Sequence, residues 1–315
     1  MRAAVVDRYG PPEVVRVEDV PRPEPSADQV LVRVHAAAVT SGDARIRGAR
    51  FPHGFAVPAR LAFGLRGPRR RILGMTFSGA VEVAGAQAGD LVPGDAVCGM
   101  TGVKMGAHAE YVAVPAARVA RKPVEVTHED AAGLLFGGST ALWYLRDKAA
   151  VAPGASVLVN GGSGAVGTNA VQIAKHLGAE VTAVTSTANV ALVRELGADH
   201  VIDHTVADVT ATVERFDVVF DTVGNLSIRS GRALLRRGGR LLLAVAGLGD
   251  TVRARGDVVA GSSPERADDI ATLLGLVADG TMTVVLDHVD ALDDIVEAYR
   301  RVDTGHKVGN VVVRP

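Results

Sequence analysis

The sequence predicts an α/β protein in which a doubly wound parallel sheet follows a smaller β-rich unit. Three observations carry this. The run Ser156–Asn160 is apolar throughout and leads into a glycine loop and an amphipathic helix. Strand-like and helix-like segments alternate from Thr127 to about residue 261, the pattern of a parallel sheet with crossover helices. The first 120 or so residues carry only short β-branched runs, punctuated by proline and glycine.

In chain order, residues 2–6, 14–17 and 30–38 read as strands, separated by Pro11-Pro12 and Pro21-Arg-Pro-Glu-Pro25. Residues 79–84, 95–99 and 109–114 read as further strands, with turns such as Val92-Pro-Gly-Asp95 between them. Residues 48–73 contain Pro52, Pro58 and Pro68 and a cluster of arginines from Arg66 to Arg71. Two readings stand for this segment: a solvated loop with a short helix near residues 59–65, or a lid over a site. Thr127 and Asp130 form a capping pair, after which residues 128–149 read as helices broken near Gly137-Gly138. Strands follow at residues 156–160, 180–184, 200–203, 217–221 and 240–245, with helices at 190–196 and 227–236 between them. A helix at 264–278, a strand near Val284, a helix at 292–301 and a last strand at 310–313 complete the chain. The expected division is 1–121 with 262–315 for the β-rich unit, and 122–261 for the parallel-sheet unit.

The loop Gly161-Gly-Ser-Gly-Ala-Val-Gly167 places Gly162, Gly164 and Gly167 at G-x-G-x-x-G spacing, between a strand and a helix that leads to a second strand. That context is what a dinucleotide-binding loop requires. The glycines permit the tight turn, the approach of a pyrophosphate and close helix–strand packing, while the helix N-terminus supplies free N–H groups. The expected cofactor-binding residues here are Gly162, Ser163, Gly164, Ala165, Val166 and Gly167. Bulky residues at Gly164 or Gly167 are expected to abolish cofactor binding with the fold largely intact.

Composition narrows the partners. Lys plus Arg is 34 and Asp plus Glu 35, a net charge of −1, so no global field favours nucleic acid or an anionic membrane. The single cysteine, Cys98, excludes an intramolecular disulfide and fits a reducing compartment. The N-terminus lacks the apolar core of a signal peptide, and no apolar run reaches the ~20 residues of a spanning helix. A cytoplasmic protein is expected.

Several further stretches share one resemblance. They are Gly74-Met-Thr-Phe-Ser-Gly79, Val92-Pro-Gly-Asp-Ala-Val97, Ala107-His-Ala-Glu-Tyr111, Gly138-Ser-Thr-Ala141, Leu196-Gly-Ala-Asp-His-Val-Ile-Asp203, Asp221-Thr-Val-Gly224 and Gly305-His-Lys-Val-Gly-Asn-Val-Val312. Together with the glycine loop, and in this order, they resemble the medium-chain dehydrogenase/reductase superfamily over essentially the full chain. The nearest likeness is to its zinc-independent quinone oxidoreductase branch, which includes zeta-crystallin-like proteins. The resemblance implies a twisted β-rich (GroES-like) domain beside a Rossmann domain, with the cofactor in the cleft between them. It also implies Val223 and Asn310 at the cofactor, with the Lys307–Asn310 stretch beside it, and a homodimer paired through the Rossmann edge strand. In zinc-dependent relatives a cysteine and a histidine ligate the metal where Thr40 and Met75 stand here, so the resemblance implies no zinc.

An Asp or Glu about twenty residues past the glycines binds the ribose 2′-hydroxyl of NAD in such units. That count reaches Thr185-Ser-Thr-Ala-Asn189, which has no carboxylate, so Ser186, Thr187 and Asn189 are expected to bind the 2′-phosphate of NADPH, with NADH the lesser alternative. Lacking a metal Lewis acid, such a protein best reduces electron-poor acceptors, quinones or α,β-unsaturated carbonyls, whose oxyanion needs hydrogen-bond donors. Thr40, Ser41, Asp43 and Thr140 are the candidate catalytic residues, each with a plain alternative. Thr40 and Ser41 sit where a helix cap belongs, Asp43 where a structural ion pair or amide acceptor belongs, and Thr140 where a hydroxyl bonds its own helix. The alternatives to a general quinone or enone reductase are a pathway-specific enoyl reductase and an NADPH-binding protein without catalysis.

Overall fold

The computed structural model describes residues 1–315. The first unit opens with β1 (Arg2–Val6) and β2 (Val15–Asp19), an antiparallel pair of their own. β3 (Gln29–Ala38), α1 (Ser41–Gly48), α2 (Ala56–Phe63), β4 (Thr76–Ala84), β5 (Ala96–Met100), β6 (Tyr111–Pro115) and β7 (Val119–Arg121) follow. Next come α3 (His128–Leu142), β8 (Ser156–Asn160), α4 (Ala165–His176), β9 (Glu180–Thr185), α5 (Val190–Glu195), β10 (His200–Asp203) and β11 (Phe216–Asp221). The chain continues through α6 (Ile228–Ala233), β12 (Leu235–Leu243), α7 (Leu248–Arg253), β13 (Val258–Ala260) and α8 (Ala267–Ala278). It ends with β14 (Leu286–Ala291), α9 (Ile295–Asp303) and β15 (Asn310–Arg314).

The six-stranded sheet has the order β10-β9-β8-β11-β12-β13 and is parallel throughout. The order reverses between β8 and β11, so the loop after β8 opens at the switch point where doubly wound sheets bind ligands. β8 is buried along its whole length, as its apolar run demands. The second sheet has the order β14-β15-β3-β4-β5-β7, with β6 also pairing β3. Its last members come from the C-terminus: β15 pairs antiparallel with β3 and parallel with β14. α8 packs instead on α3 and β7, and its Ile270, Leu273 and Leu274 share a core cluster with Val157 and Phe220 of the parallel sheet.

Three elements differ from the sequence reading. α3 is not broken at Gly137-Gly138; it runs unbroken and continues as a π-helical turn over Trp143–Lys148. The glycines serve packing: a Cβ at Gly137 would lie 2.1 Å from the carbonyl oxygen of Ala165, so only glycine lets α3 press against the start of α4. The expected helix at 227–236 ends at Ala233, and Leu235 already pairs with Phe216 in the sheet. The strand expected near Val284 forms at Leu286–Ala291. β7 and β13, three residues each, and α7 carry no periodic signal of their own.

Candidate active site

The loop after β8 is shaped for an anion. Gly164 caps α4 in extended geometry; the amide of Ala165 faces the Gly309 carbonyl in a parallel bridge, and those of Val166 and Gly167 find no acceptor within the protein. A 12-residue helix therefore presents two unspent donors and the positive end of its dipole. A Cβ built on Gly164 meets only the Gly161 oxygen, at 3.6 Å, so its outer face is open. A Cβ on Gly167 would lie 1.9 Å from that same oxygen. Gly162 is buried, its added Cβ 3.0 Å from the Ala183 methyl. The open face at Gly164 and the unspent amides fit a dinucleotide pyrophosphate.

The surroundings of the loop come from distant segments. Gly309 N–H donates to the Ser163 carbonyl at 2.8 Å, which brings the Lys307–Asn310 stretch onto the loop. Asn310 itself is buried, and its amide donates to the Val285 carbonyl at 3.2 Å. Lys307 donates to the Gly309 carbonyl, and burial pulls its ammonium down to about 8. Val223, half-exposed, lies over Gly161. Its backbone N–H and that of Gly224 donate to Asp221 Oδ1, each at 3.0 Å, and the same oxygen accepts from Asn160 Nδ2. Asp221 is fully buried, so this carboxylate shapes the Val223–Leu226 turn.

At the end of β9, Ser163 Oγ accepts from Thr185 Oγ1 at 2.9 Å and from Asn189 Nδ2 at 3.3 Å, and Asn189 also reaches Ser186 Oγ. Thr187, exposed, donates to Asp203 Oδ2 at 2.5 Å. Asp203 stands at the end of the neighbouring strand β10, and the hydroxyls of Thr187 and Thr205 hold its carboxyl below the usual range. A carboxylate thus reaches the 186–189 turn from a strand where the count along β9 does not look.

On the other side of the cleft, Thr40 caps α1 in a full capping box with Asp43. Thr40 Oγ1 donates to Asp43 Oδ2 at 2.6 Å, and Asp43 also accepts from Thr40 N–H and, through Oδ1, from Gly74 N–H. Asp43 is fully buried and all of this bonding is structural. The Thr140 hydroxyl donates to the Phe136 carbonyl at 2.8 Å, one turn back in α3, and lies 3.4 Å from Ser263 Oγ. Ser41 differs: its half-buried hydroxyl has no partner, and the N–H groups of Ser41 and Gly42 have no acceptor. A Cβ on Gly42 would sit 2.9 Å from Met75 Sδ, 3.3 Å from Thr40 Oγ1 and 3.6 Å from the Phe136 ring, so α1, β4 and α3 converge here. α1 is anchored from behind by Arg47, fully buried, which reaches the Gly10 carbonyl and Asp303 of α9.

The 48–73 segment crosses the cleft. Leu248 N–H, at the start of α7, donates to the His53 carbonyl at 2.8 Å, so the first unit touches the second beside the loop–sheet switch point. The zinc of metal-dependent dehydrogenases does not fit this residue set. Thr40 and Met75 stand at the ligand positions, Thr40 Oγ1 is spent on Asp43, and no group of three or more His, Cys, Asp or Glu side chains is placed to hold a metal ion.

Comparison with known proteins places this geometry. Residues 26–124 match the alcohol dehydrogenase GroES-like domain, and residues 196–313 match the zinc-binding dehydrogenase domain. Residues 144–230 match the C-terminal domain of alanine dehydrogenase/PNT. The chain is 30% identical to a 2-methylene-furan-3-one reductase of Solanum lycopersicum, with 100% of this chain and 79% of that protein covered. It is also 30% identical to a chloroplastic NADPH-dependent alkenal/one oxidoreductase of Arabidopsis thaliana, covering 100% and 80%. The chain belongs to the medium-chain dehydrogenase/reductase superfamily. Among solved members, a quinone oxidoreductase from Coxiella burnetii superposes with a TM-score of 0.89 at 28% identity, with 100% of this chain and 99% of that one covered. As in that superfamily, the GroES-like domain and the Rossmann domain face one another across the cleft just described.

Proposed function

We infer that this superfamily member is an NAD(P)H-dependent oxidoreductase that transfers hydride to a quinone or an α,β-unsaturated carbonyl compound without zinc. The observation that carries this reading is the pairing of an open pyrophosphate cradle at Gly164 with unspent donors at the N-terminus of α1, where a metal ligand would otherwise stand. The names of the alkenal/one and quinone oxidoreductase relatives support the acceptor class.

When bound, the reduced nicotinamide supplies the hydride. The chain's own task is to orient the acceptor and to receive the charge that develops on its oxygen. A hydroxyl has one proton to give, and those of Thr40 and Thr140 are committed to Asp43 and Phe136. Ser41 Oγ and the N–H groups of Ser41 and Gly42 are the free donors, so they are the oxyanion-binding set. Thr40 and Asp43 serve by holding α1 in place, and the protonation that completes reduction comes from solvent. Thr140 lies one turn from Phe136 and forms the α3 wall. Gly162, Gly164, Gly167 and the Ser163–Val166 stretch hold the pyrophosphate, Val223 covers the loop, and Asn310 keeps Gly309 on Ser163.

NADPH is the preferred reductant on this reading, with Ser186, Thr187 and Asn189 at the 2′-phosphate; the alkenal/one relative's NADPH dependence supports it. Asp203 favours a second reading, NADH, because its charge opposes a 2′-phosphate. We also propose a cytoplasmic homodimer. Edge strand β13 is free to pair with a second copy, and the single, buried Cys98 suits a reducing compartment. The test is a panel of quinones, enones and saturated alcohols assayed with NADPH and NADH under excess chelator. Reduction of quinones or enones supports the reading. Activity only on alcohols, loss on chelation, or cofactor binding without turnover overturns it.

A further inference from the structure

Beside the α1 donors lies a cavity of about 300 Å³, within the range of small-molecule sites. Ile46 of α1, Ala62 and Phe63 of α2, Leu73, Val103 and Met105 line it, an almost wholly apolar wall. Two of its lining residues belong to segments that also carry active-site residues. Ile46 sits on the helix that Thr40 caps, and Leu73 leads directly into Gly74 and Met75. The loop carrying Val103 and Met105 is tied to the same strip, through Thr101 N–H to the Met75 carbonyl and Gly106 N–H to the Leu73 carbonyl.

The rim has the opposite character. Arg69 and Arg70 line the mouth, both exposed and neither with a carboxylate partner. Arg71, next in sequence, is instead consumed by Asp7 and Glu18, and Asp7 is shared with Arg16. Lys104, on the loop between Val103 and Met105, is likewise exposed and unpaired. An apolar pocket closed by cations with no counter-charge is complementary to one kind of molecule: an apolar chain ending in an anion.

We propose that this cavity takes the apolar tail of the hydride acceptor and that Arg69 and Arg70 bind an anionic group at the tail's outer end. The acceptor is then an amphiphilic conjugated carbonyl compound carrying a carboxylate or a phosphate. The proposal rests on the hydride-transfer reading above and narrows its substrate class. Lys104 adds to the field at the mouth, and the exposed Val103 extends the apolar lip.

Four probes test it: a short neutral enone, a medium-chain enone ending in a carboxylate, its methyl ester, and the same chain ending in a phosphate monoester. In the wild type at low salt, kcat/KM for the anionic chains should exceed that for the ester by about tenfold, the worth of one charge-assisted contact. The larger advantage identifies which anion the rim prefers. In R69E/R70E the advantage should fall to about unity or reverse. Ala62→Trp, which fills the cavity from an exposed position, should raise KM for the long chains relative to the short enone. Equal use of acid and ester by the wild type, or an advantage that survives R69E/R70E, overturns the proposal while turnover of the short enone leaves the hydride-transfer reading standing. No turnover of any probe with either cofactor overturns both.

Discussion

Gly164 and Gly167, three residues apart in one motif, should fail in opposite ways when changed to alanine. At Gly167 the new methyl would sit 1.9 Å from the Gly161 oxygen and 2.8 Å from two further backbone atoms. Backbone must retreat by roughly 1.5 Å to restore ordinary contact, so the cost falls at or above the upper end of overpacking, about 3 kcal/mol. With an unfolding entropy of about 2.1 cal/mol/K per residue, a chain of this length should lose about 4–5 °C in Tm. At Gly164 the backbone is extended and the methyl has only the Gly161 oxygen nearby, at 3.6 Å. Alanine there should leave Tm within about 1 °C, since the restriction of the unfolded chain is offset by the poorer N-cap. The methyl instead occupies the open face of the cradle, so NADPH affinity should fall by about tenfold or more, at least about 1.4 kcal/mol. Scanning calorimetry and a fluorescence titration on both variants decide the matter. An unchanged Kd in G164A, or an unchanged Tm in G167A, would refute the division of labour. The expectation that both positions leave the fold intact is corrected for Gly167, because the contact there is with the protein's own backbone.

Ser41→Ala should lower kcat/KM by roughly 10–100-fold with NADPH affinity unchanged, less than the loss of a whole oxyanion site because two backbone donors remain; Thr140→Val should cost less than about threefold, and equal losses in steady-state kinetics would remove Ser41's special role. Asp203→Asn should raise the NADPH/NADH ratio of kcat/KM several-fold by removing a solvent-screened repulsion, and an unchanged ratio would place Asp203 outside the ribose site. Lys307, pulled down to about 8 by burial, is charged below that pH and neutral above it. The Kd for NADPH should therefore rise between pH 7 and 9 as a positive charge beside the glycine loop is lost, and Lys307→Gln should flatten the profile; a wild-type profile that stays flat would contradict this.

What the sequence made legible was local. The strand–loop–helix at residues 156–176 can be read because its glycines, its apolar stripe and its periods all lie within one short window. The Thr40 position was readable as a metal-ligand replacement, but not its hydroxyl's commitment, which depends on where Asp43 and Gly74 fall in space. Ser41 emerges as the free donor only once its neighbours' protons are accounted for. Asp203 lies beyond any count along β9, because it arrives by lateral pairing of β10 in register with Thr185. Gly137 and Gly138 mislead in the same way: glycines inside a helical pattern signal a break by propensity, yet here Gly137 answers to Ala165 of α4 and Gly138 to Leu273 of α8. The short edge strands β7 and β13 exist only because a sheet was already there to receive them.

The central claim is metal-free hydride delivery to a conjugated acceptor, and isotope transfer tests it most directly. The protein is incubated under excess chelator with an α,β-unsaturated ketone and NADPH carrying deuterium at its transferable C4 position, and the product is examined by mass spectrometry and NMR. The account predicts a saturated ketone with one deuterium, bound at the β-carbon, and a solvent-derived proton at the α-carbon. Absence of deuterium from the product, deuterium at the carbonyl carbon of an allylic alcohol, or turnover that stops on chelation would contradict it.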